Sequence, residues 1–189
     1  EVTSVTGTTG GNYELAAAGN TPGSVTITPR PLTYVVADSS AVYGTLAVPG
    51  AVTLSGKVSG DADPVATVGT FTGATPVTLA PRTSAGTYST RVTALGDANY
   101  MVAATGNTNG ALVIAPKSVR FTTASANSTY GTAATLAPAT LNNADILSGD
   151  SVAAGATVLQ GIGVPTAQQP VGSYPLVPGS LTGPQAANY

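Results

Sequence analysis

An internal repeat restricts this chain more than any other feature. The stretch Gly11 to Ala47 aligns without gaps on Ala98 to Ala134, with 15 of 37 positions identical. Asn12/Asn99, Tyr13/Tyr100, Gly19/Gly106, Pro29/Pro116, Tyr43/Tyr130 and Gly44/Gly131 are among the shared pairs, at an offset of 87 residues. A weaker pass matches Ser59-Gly60-Asp61 with Ser148-Gly149-Asp150 and Gly86-Thr87-Tyr88 with Gly172-Ser173-Tyr174, and Asn188-Tyr189 again matches Asn99-Tyr100. A unit of about 87 to 89 residues is too long for a solenoid coil and falls in the range of a small independent domain. The expected organisation is therefore residues 1–29 as the C-terminal part of a preceding repeat, 30–116 as a complete repeat, and 117–189 as a repeat lacking its last strands.

Composition turns that period into a fold class. Only 7% of the residues are charged, against roughly 25% in ordinary globular chains, and Thr, Ser, Ala, Val and Gly fill the gap. Val, Ile, Leu and Tyr alternating with Thr and Ser suit a pleated surface with one buried face. Strands are expected at Leu32 to Ala37, Val52 to Val58, Ala66 to Phe71, Val77 to Leu79, Tyr88 to Ala94, Tyr100 to Ala104 and Ala111 to Ile114. Turns are expected near Asp38 to Ser40 and over Ser59 to Pro64, where Asp and Ser can satisfy free backbone N–H groups. The fold class is all-β: tandem small β domains, each a sandwich or a β-grasp-like sheet, arranged as an elongated rod. Stiffness is expected at the joints, because Ile27-Thr28-Pro29 and Ile114-Ala115-Pro116 run into the next unit with almost no linker and Pro holds φ near −65°.

Several function classes fall away on inventory. The 189 residues contain no His and no Cys, so neither a Ser-His-Asp or Cys-His arrangement nor a zinc site of the usual ligands can be assembled. Asp38, Asp61, Asp63, Asp97, Asp145, Asp150, Glu1 and Glu14 are the only carboxylates that could form a glycosidase pair, and most stand beside Gly, Asn or Pro, where turn capping is the ordinary role. The net charge of −2 with scattered Lys57, Lys117, Arg30, Arg82, Arg91 and Arg120 offers no basic field for nucleic acid. No apolar run approaches the roughly 20 residues needed to cross a bilayer. The chain is read as an internal segment, with any export signal or anchor elsewhere.

Three residue groups remain as candidates for binding chemistry. Asp61 and Asp63 in Gly-Asp-Ala-Asp-Pro could offer oxygens to Ca²⁺, but two carboxylates are few for a shell of 6 to 8, and the matching copy keeps Asp150 while Val152 replaces the second. A solvated turn is the preferred reading. Tyr13/Tyr100/Tyr189, Tyr43/Tyr130, Tyr88/Tyr174 and Tyr34/Phe121 recur at equivalent places, which a packing requirement produces more readily than a sugar platform does, with rings buried and hydroxyls at the sheet margin. Lys57 and Lys117 are not equivalent, which argues against an intramolecular isopeptide bond. No catalytic residue, cofactor or metal ligand is assigned.

The order of these motifs carries a resemblance. Ile27 to Pro29, Tyr43-Gly44, Ser59 to Asp61, Gly86 to Tyr88, Ala98 to Tyr100 and Gly110 to Pro116 together resemble the MBG repeats of filamentous-haemagglutinin-like bacterial adhesins, over nearly the whole chain. Many turns of that family read Tyr-Gly-Asp, whereas Tyr43-Gly44-Thr45 and Tyr130-Gly131-Thr132 lack the carboxylate. The resemblance implies a large exported surface protein, often secreted by a partner outer-membrane protein. The expected function is a non-catalytic stalk or adhesion module in cell attachment or biofilm matrix, outside the cell. Its expected partners are neighbouring repeats, with direct binding of an exopolysaccharide or host surface glycan as the alternative. Unpaired strands at either end of the segment could also associate between chains.

Overall fold

A computed structural model describes residues 12–14 and 16–189. They are β-rich, with several small sheets and no α-helix among the described residues. Residues 30–116 hold eight strands: β1 (Arg30–Val36), β2 (Ser39–Val42), β3 (Val52–Ser55), β4 (Ala66–Thr72), β5 (Thr75–Val77), β6 (Gly86–Leu95), β7 (Tyr100–Val102) and β8 (Gly110–Ala115). They form a three-stranded sheet, β3-β1-β7, and a five-stranded sheet, β2-β8-β6-β4-β5. The pairs β1/β7 and β2/β8 are parallel and the others antiparallel.

Period-two alternation decides which side chains face inward. Leu32, Tyr34 and Val36 of β1 are buried, as are Leu112 and Ile114 of β8. Tyr34 and Val36 meet Val92 of β6, with Val52, Leu54 and Val102 around them, so the two sheets share one core. A second cluster holds Tyr43, Ala47, Leu112 and Ile114, and Leu147 and Tyr189 from beyond residue 116 pack against it. At the head of β8, a Cβ on Gly110 would stand 2.6 Å from the Ala37 carbonyl oxygen. Only glycine fits that approach.

The expected strand at Tyr100 to Ala104 ends at Val102, and three larger departures have a physical reason. Asp38 to Ser40 was expected as a turn, but Ser39 and Ser40 open β2, because β8 offers them a parallel ladder that local sequence does not announce. The strand from Val52 stops at Ser55, since Gly56 takes φ 101° and turns the chain. The strand expected at Val77 to Leu79 lies earlier, at Thr75–Val77, where it hairpins onto β4.

Residues 117–189 carry shorter strands: β9 (Phe121–Thr122), β10 (Thr140–Leu141), β11 (Ala153–Ala154), β12 (Thr157–Leu159), β13 (Leu176–Pro178) and β14 (Leu181–Thr182). Their pairing follows that of the first stretch. Tyr34 faces Leu54 across β1/β3, and Phe121 faces Leu141 across β9/β10, a shift of 87 on both sides. Ala66 faces Leu95 in β4/β6, and Ala153 faces Thr182 in β11/β14, by the same shift. Three-residue 3-10 turns at Asn143–Asp145 and Ala186–Asn188 complete this stretch. Among the described residues no helix is long and apolar enough to cross a membrane.

Candidate functional site

The densest polar cluster lies where residues 30–116 meet residues 117–189, and its organiser is Asp150. The Ser148-Gly149-Asp150 turn places this carboxylate with a side chain only 2% exposed. The Tyr189 hydroxyl donates to Asp150 Oδ2 at 2.6 Å, and the Tyr43 hydroxyl donates to the same oxygen at 2.9 Å. Arg82 Nη2 stands 3.0 Å from Oδ1 and also donates to the Ser148 carbonyl oxygen. Both carboxylate oxygens are thereby engaged, which a buried charge requires.

The remaining contacts of the joint surround that centre. The rings of Tyr43 and Tyr189 meet edge to face, with centroids 5.5 Å apart and planes at 76°, a favoured aromatic geometry. Ala85 N–H donates to Asn188 Oδ1 at 2.9 Å, and Leu147 N–H donates to the Tyr189 hydroxyl at 2.8 Å. Gly44 has φ 97° and lies so close to Leu147 that a Cβ would stand 3.1 Å from Cδ1. Hydrogen bonds from Tyr189 and Tyr43, with the Arg82 charge, hold the Asp150 carboxyl below its ordinary value of 3.8 although burial pushes the other way. Burial and the adjacent carboxylate raise the phenols of Tyr43 and Tyr189.

Half of this centre recurs in the first stretch. The Tyr100 hydroxyl donates to Asp61 Oδ2 and accepts from Val58 N–H at 3.2 Å. Tyr189, Asp150 and Leu147 are the same trio shifted by 89 residues. The Ser-Gly-Asp and Ala-Asn-Tyr motifs therefore belong to one internal tie, made once per copy. At Asp150 two turns of the other stretch add Tyr43 and Arg82.

The other residues singled out in the sequence are accounted for individually. Asp61 accepts from Tyr100, and Asp63 pairs with Lys57 at 2.7 Å on the surface. Asp97 accepts from Asn99 N–H at 2.8 Å within its own turn, and Asp38 accepts from Ala111 N–H at 2.7 Å. Asp145 is gripped by Arg120 through Nε and Nη2, both at 2.8 Å, and this guanidinium holds its carboxyl well below the usual range. Lys117 donates to the Asp145 carbonyl oxygen. Glu14 is exposed, and Glu1 lies outside the described residues. Among the described residues no three His, Cys, Asp or Glu gather as a metal site.

Burial separates the repeated aromatics. Tyr34, Tyr43 and Tyr100 are buried as a packing role demands, but Tyr13, Tyr130 and Phe121 are exposed. Tyr43 is 3% exposed and its counterpart Tyr130 is 66% exposed. Beside Tyr130 runs a groove of about 640 Å³, bounded by residues 123–130 and 169–176 with Leu159 at its floor. The Tyr43 to Asp150 bond spans 107 residues, and its only trace in the sequence is that Tyr-Gly and Ser-Gly-Asp each recur. No family model matches the chain, and a search of curated proteins and of solved structures finds no similar protein.

Proposed function

We propose that the chain is a non-catalytic stalk or adhesion module of a large secreted bacterial surface adhesin, acting outside the cell in attachment or biofilm matrix. The observation that carries this reading is the joint at Asp150. Two stretches related by the repeat meet through a buried carboxylate, two phenols, a guanidinium and a shared apolar cluster. Such a joint resists bending, and repeating it extends a rod. The carboxylates engaged by tyrosines, arginines and backbone N–H groups are structural ties in this reading. The motif order that resembles MBG repeats supports the same assignment, with tandem two-sheet domains as its units.

Small-angle scattering tests it. The chain is expected to scatter as an elongated body, and each added repeat should lengthen it by a constant increment. A collapsed globule, or a maximum dimension indifferent to added repeats, refutes the stalk. Direct glycan binding is the second reading, favoured by the exposed ring of Tyr130 beside a groove bordered by Thr, Ser and Asn. Weak sites of that kind gain strength by avidity. Retention of the chain on a glycan array, abolished by Tyr130→Ala, would establish it.

A further inference from the structure

One cation of the chain is held in place without being neutralised. Lys57, Arg82 and Arg120 pair with Asp63, Asp150 and Asp145, while Lys117 and Arg30 donate to the carbonyl oxygens of Asp145 and Gly56. Arg91, the sixth, meets no oxygen among the described residues. Its guanidinium carbon lies over the Phe71 ring, 3.7 Å from the centroid. Stacking of this kind holds the planar group by cation–π attraction and leaves its N–H donors at the rim of the plane.

The ring is fixed in turn by the backbone beneath it. Strands β4 and β6 pair Gly69 with Arg91 and Phe71 with Ser89. A Cβ on Gly69 would stand 2.8 Å from Phe71 Cε2, so the ring lies down over the glycine and is only 9% exposed. The second stretch has no such pair. Leu159 faces Leu176 in β12/β13 as Phe71 faces Ser89, and Pro178 stands where Arg91 stands. The repeated fold therefore does not call for Arg91 or Phe71.

Both side chains lie on the outer face of the five-stranded sheet, because the alternate positions Thr90 and Val92 are buried in the core. In register with them across β6, β8 and β2 come Ser89 and Ala111, then Thr87, Val113 and Ser40. The five strands contain no Asp or Glu, and Arg91 is their one charged residue. The face is thus level, rich in hydroxyls and small apolar groups, and singly positive.

We propose that this face binds a uronate polysaccharide, with the Arg91 guanidinium taking a sugar carboxylate through two parallel N–H donors and Phe71 holding the guanidinium plane for it. The planar fork matches a carboxylate in shape as well as charge. Nucleic acid and anionic membranes call for several cations, and this face has one. An extended peptide adds to a sheet through its edge, where Pro76 on β5 lacks the backbone donor. The hydroxyls of Ser89 and Thr87 suit a polyol lying across the strands, and a polymer multiplies a weak single contact by avidity. The site requires neither the stalk nor any contact at Tyr130.

Heteronuclear NMR of the whole chain titrated with an oligogalacturonate tests it. The Arg91 Nε–H signal and the amides of Ser89 and Gly69 should shift. The methyl ester of the same oligomer should bind about tenfold more weakly or worse, and Arg91→Gln should lose as much, as removal of one charge-assisted pair implies. Phe71→Leu, with an unchanged circular dichroism spectrum, should weaken binding although Arg91 remains, and Tyr130→Ala should leave it unchanged. An absence of shifts up to about 10 mM oligomer, where a millimolar contact is largely filled, overturns the proposal. So do equal binding of the ester, undiminished binding by Arg91→Gln or Phe71→Leu, loss with Tyr130→Ala, and tighter binding of a polyglutamate peptide.

Discussion

Ile114→Ala is the sharpest test of how the apolar cluster holds the two stretches together. Ile114 is 2% exposed and packs with Tyr43, Ala47 and Leu112, with Leu147 and Tyr189 touching the same cluster. The substitution removes three carbon groups, worth about 2.4 kcal/mol at ~0.8 kcal/mol each. The unfilled space adds to this, for a total of about 3 to 4 kcal/mol. Neighbouring Val113 is 42% exposed on the opposite face of the same strand, and Val113→Ala should cost below about 1 kcal/mol. In urea, with a slope near 2 kcal/mol per molar, the Ile114→Ala midpoint should fall by about 1.5 to 2 M. Hydrogen exchange should also quicken at Leu147 N–H, which donates to the Tyr189 hydroxyl within the second stretch while both side chains pack against the Ile114 cluster. Equal losses for the two variants would refute the reasoning, as would an Ile114→Ala loss below about 1 kcal/mol or an unchanged Leu147 amide.

Three further outcomes follow from the joint. Gly44→Ala and Gly131→Ala impose the same strain at φ 97°, on the order of 1 to 2 kcal/mol. Only Gly44 has Leu147 within reach of a new Cβ, so thermal unfolding should show the larger loss for Gly44→Ala, and equal losses would count against the contact. The Asp150 carboxyl is depressed in the folded chain, so its contribution is complete above about pH 3.8 and is lost as pH falls through the lower folded value. Exchange at Leu147 N–H followed from pH 5 to pH 2 should quicken only in the acid end of that range, and early opening near pH 5 would contradict it. The phenols of Tyr43, Tyr100 and Tyr189 are raised above their ordinary value of 10, so their contribution is present below pH 10 and lost as pH climbs through the raised values. Absorbance titration of Tyr43→Phe/Tyr100→Phe/Tyr189→Phe should lack the most alkaline part of the phenolate rise; an unchanged curve would show that these rings are not held as described.

Sequence reasoning reached the strands whose burial is local in origin. Alternating Leu32, Tyr34 and Val36 announce a half-buried strand, and Leu112 and Ile114 announce another, because the pleat turns every second side chain to one face. The repeat likewise made Ser-Gly-Asp, Gly-x-Tyr and Ala-Asn-Tyr recognisable as parts of one unit. Strand β2 was missed because Ser39 and Ser40 have no inward apolar pattern; they extend only because β8 presents free backbone groups beside them.

The sequence by itself determined the β-rich character, the period near 87 residues and the positions of the recurring tyrosines, since propensity, alternation and self-similarity are all local or countable. Only the tertiary structure decided what those tyrosines do. Tyr43 and Tyr130 share their neighbours in sequence, yet one is buried on Asp150 and the other stands beside an open groove. The difference is whether a β8-like strand and a second Ser-Gly-Asp turn lie against the ring, and that contact is made by residues about 70 to more than 100 positions away. Burial of a side chain depends on what the folded chain brings to it, which no residue's own identity contains.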